Sequence, residues 1–214
     1  FNSVERDRVA GLVAARHRGL GTGSWVITGT LEKGEPFRIE LSERHATIDL
    51  PTGTSSIDPA GELDAVPAPP GSGGLLAALV LWRRLLGAGP ATLGRTTYLG
   101  THAVWPAADG GAVELSAAPG IPGGANLVDV LDTAASSVEA HFQVDGAGNV
   151  VGIDLWPTPD ADPCEVRFLA PRDTLPAVPT LFEVHHGDER FGRFRIESFE
   201  TGEAGAAAAE GGVR

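Results

Sequence analysis

The sequence contains no methionine, a single cysteine and a single lysine among its 214 residues. Because translation starts with methionine, we expect this chain to be a processed or excerpted part of a longer polypeptide. The one cysteine, Cys164, excludes an internal disulfide and a metal cage built from cysteines. Cysteine usage therefore leaves the redox compartment open.

Positive charge is also scarce, since 16 basic residues face 28 acidic ones and the formal net charge is -12. Nucleic-acid binders and polybasic membrane anchors depend on clustered lysine and arginine. We therefore expect neither nucleic acid nor an anionic membrane surface as a partner. The longest apolar run, Leu75 to Trp82, is too short to span a bilayer. No signal peptide is visible, so an export signal would have to precede Phe1.

The residues that are abundant indicate a globular chain with many turns. Hydrophobic residues make up 42% and charged residues 21%, with 29 glycines and 16 prolines. Residues 4 to 18 predict a helix that Ser3 caps and that ends before Gly19. From Gly23 to Leu50 apolar and polar residues alternate, which predicts an antiparallel meander with one apolar face.

The rest of the chain, after Leu50, combines one very apolar segment with further alternating ones. Residues 73 to 86 predict a helix, capped by Ser72, that must be largely surrounded by protein. Residues 54 to 58 predict a short strand, followed by a linker up to residue 72. More strands are predicted at 95–104, 111–117, 127–133, 137–145, 149–156, 164–169, 180–186 and 190–200.

About ten short strands with one apolar face form a sheet whose apolar face must be buried, and the apolar helix at 73–86 can bury it. We therefore predict a mainly β, α+β fold. In it, a strongly curved antiparallel sheet forms an open or half barrel, with the apolar helix on its concave side and an N-terminal helix. A single domain is expected over residues 1–200, with a disordered tail at 201–214.

The motifs that resemble chemical sites have simpler explanations. GAGNVVG at 146–152 lacks the following helix that a phosphate cradle needs, so it predicts a hairpin turn. Ser72 lacks the sequence context of a catalytic serine. No nucleophile with a base and no carboxylate pair stands out, so we expect no catalytic residue and no cofactor.

Histidines and acidic groups raise the question of a metal. His185 and His186 point to opposite faces of a strand, so they cannot both bind one ion without a bulge, and the adjacent Asp188 belongs to a turn. The acidic segment 159–165 is expected to be a turn. Cys164 is expected to be a buried apolar residue, and the histidines at 17, 45, 102 and 141 to be solvated. We predict no metal site.

A set of large apolar side chains lies on the predicted inner face or on the covering helix. These residues either form an ordinary core or line a concave site for a hydrophobic ligand such as an acyl chain. They are Trp25, Phe37, Trp82, Phe142, Leu155, Phe168, Phe182 and Phe194.

Several runs resemble the C-terminal region of bacterial trypsin-like (HtrA-type) serine proteases, which itself resembles the LolA-like half barrel of outer-membrane lipoprotein sorting. They are GSGGLLAALVLWRRLLGAGPATLG, YLGT, VDVL, SVEAHFQVD, NVVGIDLWPTPDADPCEVRF and FEVHHGDERFGRFRIESFE. The match is best over 71–101 and 127–199 and includes no catalytic motif. It implies an open barrel in the periplasm or cell envelope, with an acyl chain or lipoprotein as ligand.

Two functions follow as expectations. The first is a non-catalytic envelope domain that binds a hydrophobic ligand and follows a protease domain in the same polypeptide. The alternative is a structural or regulatory interaction module of that protease, with a filled core and no ligand. A free-standing enzyme is a third and weaker reading. The missing upstream part is expected to hold the signal sequence and the catalytic machinery.

Overall fold

A computed structural model describes residues 2–61, 63, 72–104, 126–135, 138–156, 160, 162–172, 174–187 and 189–202. Within them, helix α1 is Asn2–Arg16, helix α2 is Leu75–Ala88, and a short 3-10 helix is Pro90–Leu93. The strands are β1 Ser24–Leu31, β2 Pro36–Leu41, β3 Ala46–Leu50, β4 Gly53–Ile57, β5 Arg95–Val104, β6 Asn126–Ala135, β7 Val138–Val144, β8 Val150–Trp156, β9 Cys164–Leu169, β10 Leu181–His186 and β11 Glu189–Gly202. No helix of the described residues is long and apolar enough to cross a bilayer.

The strands form one 11-stranded antiparallel sheet in the order β4-β3-β2-β1-β11-β10-β9-β8-β7-β6-β5. Two meanders, β1 to β4 and β5 to β11, are joined by the pairing of β1 with β11. Within the described residues, β4 and β5 are the two free edges, so the sheet is not closed. The prediction of a mainly β fold with an antiparallel sheet is confirmed.

The alternation of apolar and polar residues fixes which face of each strand is buried. In β2, Phe37, Ile39 and Leu41 are buried, and in β9 the buried positions alternate in the same way. A period of two places these side chains on one side of the sheet. The same side of β7 carries Ala140 and Phe142.

Irregularities in the ladders bend the sheet. The register shifts between Thr28 and Gly29 in β1, and further shifts occur between β10 and β11, β5 and β6, and β7 and β8. A bulge adds twist and curvature to the strand that contains it. Gly29 allows β1 to approach the backbone of β11 closely, because a Cβ atom at this position would lie 1.9 Å from the Arg195 carbonyl oxygen.

Side chains of distant strands converge on Trp82 of α2. Its ring lies 5.2 Å from Trp25 of β1 and 4.9 Å from Phe168 of β9, measured between centroids. In a flat sheet, strands three steps apart are separated by roughly 14 Å, which is more than these two distances together. The convergence of Trp25 and Phe168 therefore fits a curved sheet.

Both predicted helix caps are wrong. Helix α1 already includes Ser3. Helix α2 begins after Gly74, which has φ 91° and makes no side-chain cap, while Ser72 lies outside the helix. Gly74 is required there because a Cβ atom would lie 2.7 Å from the Cβ atom of Cys164. Packing of the turn against β9 decides where α2 begins.

Some predictions fall on residues that are not described. The strand predicted at 111–117 lies outside the described residues, as do most of the linker before α2 and positions 203–214. Two residues of the predicted tail, 201 and 202, belong to β11. The predicted hairpin turn at 146–149 is confirmed, since it joins β7 to β8.

Candidate functional site

The eight side chains predicted to contact a ligand lie in one buried cluster. Seven are contributed by different strands and Trp82 by α2, and each is at most 4% exposed. They are Trp25, Phe37, Trp82, Phe142, Leu155, Phe168, Phe182 and Phe194. The sheet therefore brings the predicted residues together, and their surroundings are protein.

Ring contacts run through this cluster. Besides its contacts with Trp25 and Phe168, Trp82 meets His17 edge-on at 5.2 Å. Phe168 in turn contacts Phe182 at 5.3 Å. Such distances are those of packed aromatic pairs. The centre of the predicted ligand site is thus occupied by Trp82.

One polar atom in this centre has no partner. The indole Nε1 of Trp25 donates to the Leu20 carbonyl oxygen at 2.8 Å. By contrast, Nε1 of Trp82 is buried and makes no hydrogen bond to any residue that the structure describes, and the same holds for Oγ of Ser72 just before α2. A buried polar group without a partner costs about 1–3 kcal/mol of folding free energy.

An open cleft lies elsewhere, beside the last turns of α2. Its volume is about 700 Å³. We call it the arginine cleft. It is lined by Gly21, Thr22, Gly23, Glu43, Pro59, Ala60, Gly61, Arg83, Arg84, Gly87, Ala88 and Thr92.

Arg83 holds one wall of the arginine cleft through backbone oxygens. Its Nε and Nη2 atoms donate to the Gly23 carbonyl at 3.1 and 2.7 Å, and Nη1 donates to the Ser42 carbonyl at 3.4 Å. These bonds join α2 to the start of β1 and to the turn after β2.

Arg84 holds the opposite wall in the same way. Nε donates to the Pro59 carbonyl at 3.1 Å, and Nη2 donates to the carbonyls of Pro59 and Gly61. Within the part of the chain that the structure describes, Nη1 of Arg84 makes no hydrogen bond. Its two N–H groups remain as donors for a bound group.

The charge of these guanidinium groups is not balanced by an ion pair. Burial lowers the pKa of both, against the opposing influence of Glu43 on Arg83 and of Asp58 on Arg84. No described carboxylate forms a salt bridge with either one. Arginine nevertheless stays protonated in proteins. The arginine cleft thus presents two half-buried cations, which suit a carboxylate or another anion.

In the sequence, Arg83 and Arg84 mark only the end of the apolar run. A signal for their role does exist, because α2 contains no acidic residue that could pair with them one turn away. The partners that the structure provides come from residues 23, 42, 59 and 61, which no local pattern connects to α2.

The prediction that His17 is solvated is wrong, because this residue is only 3% exposed. Nδ1 lies 2.7 Å from the Ala177 carbonyl oxygen, and Nε2 accepts from the Val150 N–H at 3.3 Å. Burial lowers the pKa of His17. The His17 ring is therefore neutral, with its proton on Nδ1, and it is part of the packed core.

Three other predicted residues lie in the sheet. Cys164 is buried, as predicted, and burial raises the pKa of its thiol to about 11, which keeps it protonated and unreactive. His185 bonds to Glu183 at 2.8 Å, while His186 is exposed. Asp188 lies outside the described residues.

No family model, curated protein or solved structure matches the chain significantly.

Proposed function

We propose that this chain is a non-catalytic interaction module with a filled core, and that it binds the free carboxylate of a peptide segment in the arginine cleft. The observation that carries this proposal is the pair of half-buried guanidinium groups. Both face an open cleft and are bound by backbone carbonyls without a carboxylate.

The cleft has the dimensions and lining for such a ligand. Ligand pockets usually measure about 300–1,000 Å³, and a volume of about 700 Å³ lies within this range. Pro59, Ala60 and Ala88 add apolar contact. A short peptide end could place its carboxylate on Nη1 of Arg84 and its last side chain on this surface.

We further propose that the sheet forms a half barrel with α2 on its concave side. The open antiparallel order, the four register shifts and the convergence on Trp82 support this arrangement. Burial of nine residues of α2 supports its role as the cover.

The location in the cell envelope and the upstream protease domain remain proposals that rest on the resemblance to the HtrA-type and LolA-like families. The full open reading frame tests this context directly. A trypsin-like domain before Phe1 is expected, and a different upstream domain would contradict it.

Peptide binding tests the arginine cleft. The probe is a mixture of fluorescent hexapeptides with random apolar sequences and a free C-terminal carboxylate, and the same mixture amidated is the comparison. We expect fluorescence polarisation to show binding of the free acids, and amidation to weaken binding about 10-fold or more, because a charge-assisted hydrogen bond is lost.

Two variants complete the peptide experiment. Arg84→Gln should remove the preference for the free acid, whereas Arg172→Gln should keep it, because Arg172 is exposed and lies outside the cleft. Circular dichroism checks that both variants fold. Equal binding of acids and amides by the wild type, or an unchanged preference in Arg84→Gln, would refute the cleft assignment.

A hydrophobic carrier is the second candidate, and one observation favours it. Two buried polar atoms without partners, Oγ of Ser72 and Nε1 of Trp82, belong to α2 and the turn before it. Their desolvation weakens the docking of α2. If α2 moved away, it would uncover the aromatic cluster for an acyl chain.

A further inference from the structure

Three side chains that can bind a metal come together on the outer face of the sheet. Asp132 of β6 lies directly opposite His141 of β7 in the strand register. Glu139 precedes His141 by two residues, so both side chains lie on one face of β7, whereas Ala140 and Phe142 point to the core. Two neighbouring strands thus supply one imidazole and two carboxylates.

The ligand atoms are close enough for one ion. One nitrogen or oxygen from each of the three residues lies within 4.8 Å of the others. Nε2 of His141 is 3.3 Å from Oε1 of Glu139 and 3.8 Å from Oδ1 of Asp132. Ligands bound tetrahedrally at about 2.0–2.2 Å are roughly 3.4 Å apart. Small rotations of these side chains therefore suffice.

Asp132 provides an independent sign of a missing partner. It is 9% exposed, and its buried Oδ1 atom accepts no hydrogen bond from the described part of the chain. That same oxygen is the one nearest to His141. A buried carboxylate oxygen without a donor is costly, and a cation between the two residues would satisfy it.

Neighbouring residues pack against the His141 ring and place negative charge beside it. Trp156 of β8 packs against the His141 ring at 4.5 Å between centroids. Glu139 brings a second carboxylate close to Asp132, whereas Arg95 brings an opposing positive charge. Asp154, opposite His141 on β8, is already bound by Gln143 and Arg167.

We propose that Asp132, Glu139 and His141 form a binding site for a divalent transition-metal ion of the Zn²⁺ type. One imidazole nitrogen with carboxylate oxygens is a ligand set that zinc accepts, and three protein ligands leave a further position for water. The ion would tie β6 to β7 next to the edge strand β5. This inference is independent of the proposed peptide binding.

Isothermal titration of Zn²⁺ into the full chain, freed of metal with a chelator, tests the site. We expect binding of one ion per chain and a rise in the unfolding temperature. Because the ligands act together, Glu139→Gln and His141→Gln should each weaken binding about 10-fold or more. Glu139 is 54% exposed, so its substitution should not disturb folding.

His45→Gln is the matched control, because His45 is exposed and lies outside the cluster. It should bind Zn²⁺ as the wild type does. Substitution of Co²⁺ gives a second readout, since visible absorption bands are expected in the wild type and not in His141→Gln. Unchanged binding by Glu139→Gln and His141→Gln, loss of binding in His45→Gln, or no binding by the wild type would each overturn the proposal.

Discussion

His17 connects three parts of the core through a single ring. It bonds to the backbone of residues 150 and 177 and contacts Trp82 of α2. Both ring nitrogens are hydrogen-bonded and the surroundings are apolar. A protonated imidazolium would therefore be poorly solvated at this position. The sequence offered no sign of this, because His17 lies among polar residues near the end of α1.

At this residue we predict loss of stability in acid. Burial lowers the pKa of His17 from 6.5 in the folded chain. Below pH 6.5 the unfolded chain therefore binds a proton that the folded chain does not, and folding weakens by up to about 1.4 kcal/mol per pH unit. Urea unfolding at several pH values measures this slope. His17→Gln should flatten it between about pH 7 and pH 5, and an equal slope in both proteins would contradict the assignment.

Glu183 is a buried charge on the outer face of β10. It is 1% exposed, and burial alone would raise its pKa, but hydrogen bonds from His185 and Arg193 outweigh this and hold the pKa low. Arg193 lies directly opposite it on β11. The pair therefore joins the last two strands.

We predict that Arg193→Ala destabilises the protein by roughly 2–3 kcal/mol, less than for a fully buried pair because Arg193 keeps some contact with water. The loss arises because Glu183 stays buried without its main partner. Adding Glu183→Gln should recover part of it, since the charge is removed. Chemical denaturation of the single and double variants measures this. A double variant that is no more stable than Arg193→Ala would argue against the ion pair.

Among the elements, the strands were predictable and the caps were not. Alternation alone located β2 and β9, because a period of two is a local property of the sequence. The start of α2 depends instead on how closely Gly74 approaches Cys164, which lies far away in the sequence. The arginine cleft escaped prediction for the same reason, as its carbonyl partners belong to separate loops.

Substitution of Phe142 tests how tightly β7 packs in the aromatic cluster. Phe142 is fully buried, so Phe142→Ala should cost about 3–5 kcal/mol of unfolding free energy. Phe191→Ala is the control and should cost less than about 1 kcal/mol, because Phe191 is 41% exposed. Urea unfolding compares the two. A small loss for Phe142→Ala would instead indicate that its ring lines an open cavity.

At the scale of the whole molecule, the pairing of β1 with β11 determines the shape. These strands lie at opposite ends of the described chain, and no sequence pattern indicates that they meet. Their contact joins the two meanders into one sheet and places Trp25 and Phe199 next to each other at 5.3 Å. The composition predicted the mainly β class, whereas the strand order required the three-dimensional structure.

We propose above all that the protein itself fills its core. Titration with the methyl ester of cis-parinaric acid tests it, because an acyl chain bound beside Trp25 and Trp82 would take up their excitation energy, whereas the ester lacks the carboxylate that the arginine cleft is proposed to bind. We predict no saturable energy transfer at concentrations up to about 10 µM, since these indoles are fully buried among protein side chains. Saturable transfer at one ester per chain would contradict the filled core and establish the carrier instead.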